Sequence, residues 1–487
     1  MISFNTIPLD IRAPGSYIEI DDSQAVRGLQ APRRKVLICG QKLAAGSATA
    51  GVPVQFRTGS DAIALCGRGS MLARAAALFR LSDPNSEAWL FPVSDLGGGT
   101  AAAYTATFTG PATTSQTVQL RVAGQLVPVA VTSGMTATQI ATAAAAAINA
   151  AGDLPVTATS AAGVVTATSR HKGTLGNFID FRTNYQPTDA LPAGVTVAFA
   201  NSVVGSGDPD GSAVFTAIGD TPFTDFVWCW NDATNLTNLE AGLVARWAYD
   251  EMMDPLGYYA AAGSFSTVTT LGESRNSQFA SFVGMRGNLN PPWELAGWWG
   301  AVNGLALSID PARPTQTLGA PGILAPAVTD RWTRDERDLM LRDGVSTFKV
   351  DSGGNVLVDR AITTKQADAN SIPTVAWLDI NVPALNAFYS YSLRTRISQK
   401  YPRHKLADDG TPFTPGQPIV TPSILKGETI AWATDLASAA LLEDLPGFKA
   451  SLLMERSPSD VNRVNARLGP NQVNGFRVFA GQIQYVL

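Results

Sequence analysis

The 487-residue chain has a formal net charge of −4 and only 16% charged residues, against about 25% in an ordinary globular domain. That balance shows no pull toward nucleic acid or an anionic membrane surface, and the length implies two to four domains with ample core. A surface so poor in charge suits burial in an assembly, or equally a secreted protein.

The opening "MISFNTIPLDIRAPG" lacks a basic segment followed by an apolar run, and no uncharged stretch of about 18 strongly apolar residues follows. The chain therefore reads as one folded in the cytoplasm. "APGSYIEIDDSQAV", residues 13–26, then carries what reads as a strand, and residues 36–93 read as a βαβ unit. Its strands are "KVLICGQ" and "AWLFPVS", joined by a single helix capped at Ser60. Cys39, Cys66 and Cys229 are odd in number and far apart in apolar contexts, which reads as reduced core thiols.

The rhythm breaks at "DLGGGTAAAY", and from Leu96 to Gly205 only seven of 110 residues are charged. "TVQLRVAGQLVPVAV" and "VTATSAAGVVTATS" are hairpins around a helix capped near Thr136, so 96–205 reads as an inserted α+β module. The α/β pattern resumes with "FTDFVWCW", a helix over 234–250, "GYYAAAG", "FASFVGMRG" and a helix through "WELAGWWGAVNGLAL". The charged "RDERDLMLRD" reads as a solvated helix. From Ser346 come a hairpin around "SGGN", a helix from Val382 to Lys400, a loop, a helix over 422–442, and a strand near "FKASLLMER". In "GFRVFAGQIQYVL" apolar residues alternate with one slip at Gly481, the mark of a strand with a glycine bulge. Strands thus stand at both ends of the chain.

Candidate chemistry is thin. The two histidines, His171 in "SRHKGTLGN" and His404 in "YPRHKLADDG", sit in polar, loop-like surroundings and read as solvated surface or interface residues. "GRGSML" lacks the third glycine of a phosphate cradle, so Gly67 and Gly69 read as packing or kink positions, and Gly97 to Gly99 as the joint into the insertion. No cysteine has a CxxC neighbour, and Asp408 and Asp409 before Gly410 mark a turn. Neither catalytic, cofactor nor metal residues are assigned. Arg394, Arg396, Lys400, Arg403 and Lys405 cluster within twelve residues, either as an ordinary solvated helix end or as a basic stripe for an acidic partner.

Together, "CGRGSMLARAAALFR", the 136–177 stretch, "DPARPTQTL", "DGVSTFKVDSGGNVLVDRAITT" and the terminal "GFRVFAGQIQYVL" resemble the contractile tail sheath proteins of Mu-like bacteriophages, in order along nearly the whole chain. The resemblance implies a subtilisin-like, mostly parallel, non-catalytic α/β core split by an inserted α+β domain, plus an α+β C-terminal domain with terminal strand arms. The corresponding ranges are 1–27 for the N-terminal arm, 28–95 and 206–345 for the core, 96–205 for the outer insertion, 346–472 for the inner domain and 473–487 for the C-terminal arm. The implied arms, carrying Tyr17, Ile18 and Ile20 at one end and Phe476, Val478, Phe479, Ile483, Tyr485 and Leu487 at the other, pair with neighbouring subunits. Gly15, Gly28, Gly469 and Gly475 serve there as joints or as ordinary turns, and Arg394, Arg396, Lys400 and Arg403 face the tail tube. Implied partners are further copies of the chain, the tail tube protein, and baseplate and terminator proteins, with no cofactor, nucleic acid or membrane insertion. A sheath of a phage-derived injection particle is the alternative. A secreted hydrolase with a binding module and an adhesive receptor-binding protein are the rival classes.

Overall fold

A computed structural model describes residues 12–19, 28–287, 289–414 and 416–485. The chain forms two compact units, Arg33–Pro383 and the remainder, Met1–Pro32 with Ala384–Leu487.

The larger unit is organised by a six-stranded sheet in the order Ala280–Met285, Leu256–Ala262, Asp225–Trp228, Lys35–Gln41, Glu87–Val93, Val54–Phe56. All neighbours are parallel except the last pair. Every residue of Leu256–Ala262 and of Ala280–Met285 is buried, the signature of parallel strands covered on both faces. Gly257 faces Leu239 and Leu243 of the Ala233–Arg246 helix, whereas Tyr258 lies against Gly300 of the Pro292–Ile309 helix, so those helices cover opposite faces. On the latter face Gly297 lets the Pro292–Ile309 helix approach the Met71–Ser82 backbone at Ala75, where a Cβ would collide. Three ion pairs are enclosed here: Arg34 with Asp83 and with Asp225, and Arg74 Nε with Glu294 Oε1 at 2.7 Å.

Strands from 101–203 enter none of this sheet. They form two smaller ones, ordered Val197–Val203, Ala101–Phe108, Val164–Lys172, Val156–Ala161, and Gln125–Val131, Gln116–Val122, Phe181–Thr183. Both hairpins turn on an Ala-Gly pair with positive φ: 49° and 75° at Ala123 and Gly124, 45° and 85° at Ala162 and Gly163. Such two-residue turns match the twist of the flanking strands. Thr136 caps the Ala137–Ala150 helix in a capping box with Gln139.

The structure corrects several expectations. The helix before Glu87–Val93 is two helices, Gly59–Cys66 and Met71–Ser82, broken where Gly67 and Gly69 take φ of 90° and 77°. Thr58, not Ser60, caps the first, in a capping box with Asp61. The α/β unit does not end at 345. Ser346 N donates to Phe282 O at 3.0 Å and Thr364 N to Ala280 O at 3.0 Å, which carries the Thr347–Val350 and Val356–Arg360 hairpin into this unit. A helix at Phe265–Glu273 escaped the sequence reading.

In the smaller unit, Trp432 of the Pro422–Ser438 helix is the core anchor. Its Nε1 donates to Ser392 Oγ at 2.9 Å, and its ring meets Tyr389 at 5.9 Å and Phe448 at 6.3 Å. The helix expected to reach 442 stops at Ser438, because Leu442–Glu443 pairs with Asn471–Gln472. "FKAS" is helical, in Leu445–Ser451 capped by Asp444, and only Leu453–Arg456 is a strand, antiparallel to Val464–Arg467. Residues 473–485 form no strand.

Candidate functional site

His171 is the first test of catalytic chemistry. It is buried, not solvated, and its Nε2 accepts the Met71 N–H at 3.1 Å while Nδ1 lies 2.7 Å from Asp95 Oδ1. A backbone N–H can only donate, so the proton sits on Nδ1 and Nε2 is fully used. Asp95 also accepts from Gln41 Nε2 at 2.8 Å and Lys172 N at 3.0 Å. Burial pushes the Asp95 carboxyl upward, but these hydrogen bonds outweigh it and hold it below the usual carboxylate range. The imidazole thus caps the start of the Met71–Ser82 helix and ties the Val164–Lys172 strand to it; no base is left for a nucleophile. His404 is half-buried, edge-on to Tyr401 at 5.1 Å. All three cysteines are buried, and burial pushes the Cys66 thiol up to about 12, which leaves it unreactive. Gly99 packs against Gly207 beside the Thr100–Ser206 bridge, where the chain leaves and re-enters the large sheet's surroundings.

The basic stripe is divided. Arg396 Nε reaches Glu428 Oε1 at 2.5 Å and its guanidinium also meets Asp435 Oδ2 at 2.5 Å, while Lys400 Nζ lies 2.6 Å from Glu428 Oε2. Tyr401 Oη adds a hydrogen bond to the same carboxylate at 3.2 Å. Burial raises the Glu428 pKa, yet Lys400 and Arg396 more than offset this and keep it below its ordinary value. Glu428 and Asp435, two helical turns apart, face these cations within one unit. Arg394 lies 5.7 Å from the Tyr391 ring, and Arg403 is exposed. Two of the four residues expected to face the tail tube, Arg396 and Lys400, thus also bind carboxylates of their own unit.

The terminal segments behave differently. Ile18 is 88% exposed, Phe479 83% and Ile483 96%, with Tyr17, Phe476, Val478 and Tyr485 also exposed. Ile20 and Leu487 lie outside the described residues. The strand expected over 473–487 has no ladder among the described residues, since a strand needs a second one to bond. Of the four glycines, Gly28 alone takes a left-handed backbone, φ 107°, with open space around it; Gly15 lies against Tyr17, Gly469 near Ser451, and Gly475 is half-buried.

A family model described as the phage tail sheath protein central domain matches residues 205–364, and one for the phage tail sheath C-terminal domain matches 373–485. The Mu-like prophage FluMu tail sheath protein of Haemophilus influenzae is 38% identical over 486 residues, 100% of each chain. The chain belongs to the phage tail sheath protein family. Among solved structures, the contracted PVC sheath complex of an extracellular contractile injection system gives a TM-score of 0.50 at 9% identity, covering 99% of both chains. A sheath tail protein from Desulfitobacterium hafniense gives 0.47 at 14% identity over 94% of this chain and 100% of that one. The sheath fold is thus mixed α/β around a largely parallel sheet, and the sheath protein is a structural component of a phage tail.

Proposed function

We propose that this sheath protein is the mechanical subunit of a contractile tail. Copies polymerise helically around the tail tube in an extended, metastable state and collapse to a shorter, wider helix that drives the tube through the host envelope. The reading assigns a subtilisin-like, non-catalytic core to the split α/β region, an outer position to 96–205 and an inner position to the C-terminal unit. Assembly takes place in the host cytoplasm, with the tube, baseplate and terminator proteins as partners. The chain works by rearrangement and not by catalysis; an extra ~200 Å² of apolar burial per subunit would release roughly 5 kcal/mol at about 25 cal/mol per Å².

The observation that carries this reading is the run of exposed, alternating apolar residues at 476–485, outside every sheet formed by the described residues. Paired with a strand of another subunit, it satisfies its backbone and buries those side chains, and such main-chain links survive large changes in side-chain contact. Gly28 suits a joint beside the N-terminal arm. Arg394, Arg396, Lys400 and Arg403 take the tube-facing role, the charge of Arg396 and Lys400 being partly offset by Glu428 and Asp435.

Electron microscopy of the full chain beside a variant lacking 473–487 tests this. Striated hollow tubes from the full chain alone are expected; small closed oligomers from both proteins would overturn the reading.

A further inference from the structure

The loop after the Ala233–Arg246 helix is a fixed projection. Arg246 O accepts from Met253 N and Asp254 N at 3.1 and 3.4 Å, Ala248 O from Glu251 N and Met252 N at 3.1 and 3.0 Å, and Trp247 Nε1 donates to Pro255 O at 2.7 Å. At its tip Tyr249 is 91% exposed, beside the exposed Asp250 and Glu251. Neither carboxylate enters an ion pair among the described residues; the nearby Arg246 is lowered below its ordinary pKa by burial, against the opposing charges of Glu251 and Asp220. A preorganised aromatic flanked by free charges is how interfaces build an anchor, because little side-chain freedom is lost on docking.

The opposite face of the sheet carries its complement. An open groove of about 950 Å³ runs between the inserted segment and the loop over 319–328. This loop is held to the Pro292–Ile309 helix side, where Trp298 Nε1 donates to Gly319 O at 3.2 Å and Leu324 N to Asn290 Oδ1 at 2.8 Å. The walls are largely apolar, and the only charged lining residues among those described are Arg121 and Arg331. Arg121 lies over the Tyr185 ring at 4.7 Å, and Arg331 Nε donates to Pro326 O at 3.2 Å. Of the neighbouring acids, Asp180 accepts from Arg182 Nε at 2.7 Å and Asp351 from Asn355 Nδ2 at 3.0 Å, and Asp330, next to Arg331, is not part of the groove lining.

We propose that the Tyr249-tipped acidic loop of one copy docks in the Arg121 and Arg331 groove of the next. Acidic tip meets basic groove, aromatic ring meets apolar wall, and opposite sheet faces cannot form a self-complementary pair. Such a head-to-tail contact builds a helical polymer when its rotation does not close a ring. The contact rests on the self-assembly reading above and adds to it a named surface between large units, separate from the terminal arms.

The test is disulfide trapping in the polymer formed by the full chain. The native cysteines are buried, so a Tyr249→Cys, Val328→Cys double variant, with Val328 76% exposed on the groove, should give a ladder of covalent oligomers on oxidation, and each single variant should not. In parallel, Asp250→Lys with Glu251→Lys should raise the concentration needed for assembly about tenfold or more, and adding Arg331→Glu should recover part of that loss. Each monomer's thermal unfolding should match the unmodified chain, which separates lost contact from lost fold. Polymers that form normally but give no ladder, with charge variants assembling like the parent, would overturn this contact and leave self-assembly standing. No polymer from the parent chain would overturn both.

Discussion

The Arg33–Pro383 unit and the two ends of the chain treat apolar side chains in opposite ways. In the large unit Trp228, Trp298, Trp299, Tyr258 and Phe226 are fully buried, and even its charges at Arg34, Asp83 and Glu294 are enclosed and paired. At the ends, Ile18, Phe479 and Ile483 stand in solvent. A region that buries its large apolar side chains and pairs its enclosed charges folds alone, while one that leaves such side chains in solvent is built for a partner. Stability and assembly should therefore respond to different substitutions.

The largest expected effect lies deepest in the self-satisfied region. Arg34→Met leaves Asp83 and Asp225 without their shared cation, and removing one partner of a buried pair costs about 3–5 kcal/mol. Denaturant unfolding of the monomer should show that loss. A shift below about 1 kcal/mol would mean the two carboxylates find other partners, and the contrast with the ends would be weaker than drawn. His171→Ala should cost less, about 1–3 kcal/mol, since Met71 N–H and Asp95 each lose one bond. His171→Asn tests the same contact, for an amide oxygen can still accept the N–H and recover part of the loss.

Which of these features the sequence discloses depends on how far apart their parts lie. The parallel strands are legible because burial on both faces writes continuous apolar runs such as "GYYAAAG" and "FASFVGM". The hairpins and the Thr136 cap are legible because turn and cap chemistry is local. The helix break is only partly legible, because the helical apolar spacing resumes on both sides of "GRGS" and Gly67 and Gly69 there read equally as packing or kink positions. Phe265–Glu273 was hidden by its β-branched "FSTVTTLGE", although Ser264, whose side chain caps it, was a usable signal. His171 misled through its polar neighbours, since the acid that fixes it is 76 residues away in sequence. For the same reason Arg396 and Lys400 read as a free stripe: Glu428 and Asp435 are on another helix, and only the seven-residue spacing of those acids hinted at a facing pair.

That cluster gives a smaller and pH-dependent effect in the second unit. The folded-state pKa of Glu428 is lowered from an unfolded value of 4.5. Its contribution is thus complete above that value and is lost as pH falls through the lower folded pKa. The stability gap between the unmodified chain and Glu428→Gln should be full at about pH 6 and shrink toward about pH 3. A gap that stayed constant with pH would mean Arg396 and Lys400 gain nothing from the carboxylate's charge.

The smallest effect on stability should accompany a complete loss of assembly. Ile483 is 96% exposed, so Ile483→Asp removes no packing from the isolated chain, and its unfolding should stay within about 0.5 kcal/mol of the parent. In a strand shared between subunits, however, the same position alternates with Tyr485 onto one covered face. A carboxylate there must be desolvated without a partner, which costs far more than the lost apolar contact. Sedimentation should find the variant monomeric at concentrations where the parent sediments as tubes, with matching thermal unfolding of the two monomers. If the variant instead assembled normally, residue 483 would lie on the outer face of the shared strand or outside it. The same substitution moved to Phe476 or Val478 would then find the register at which the arm pairs.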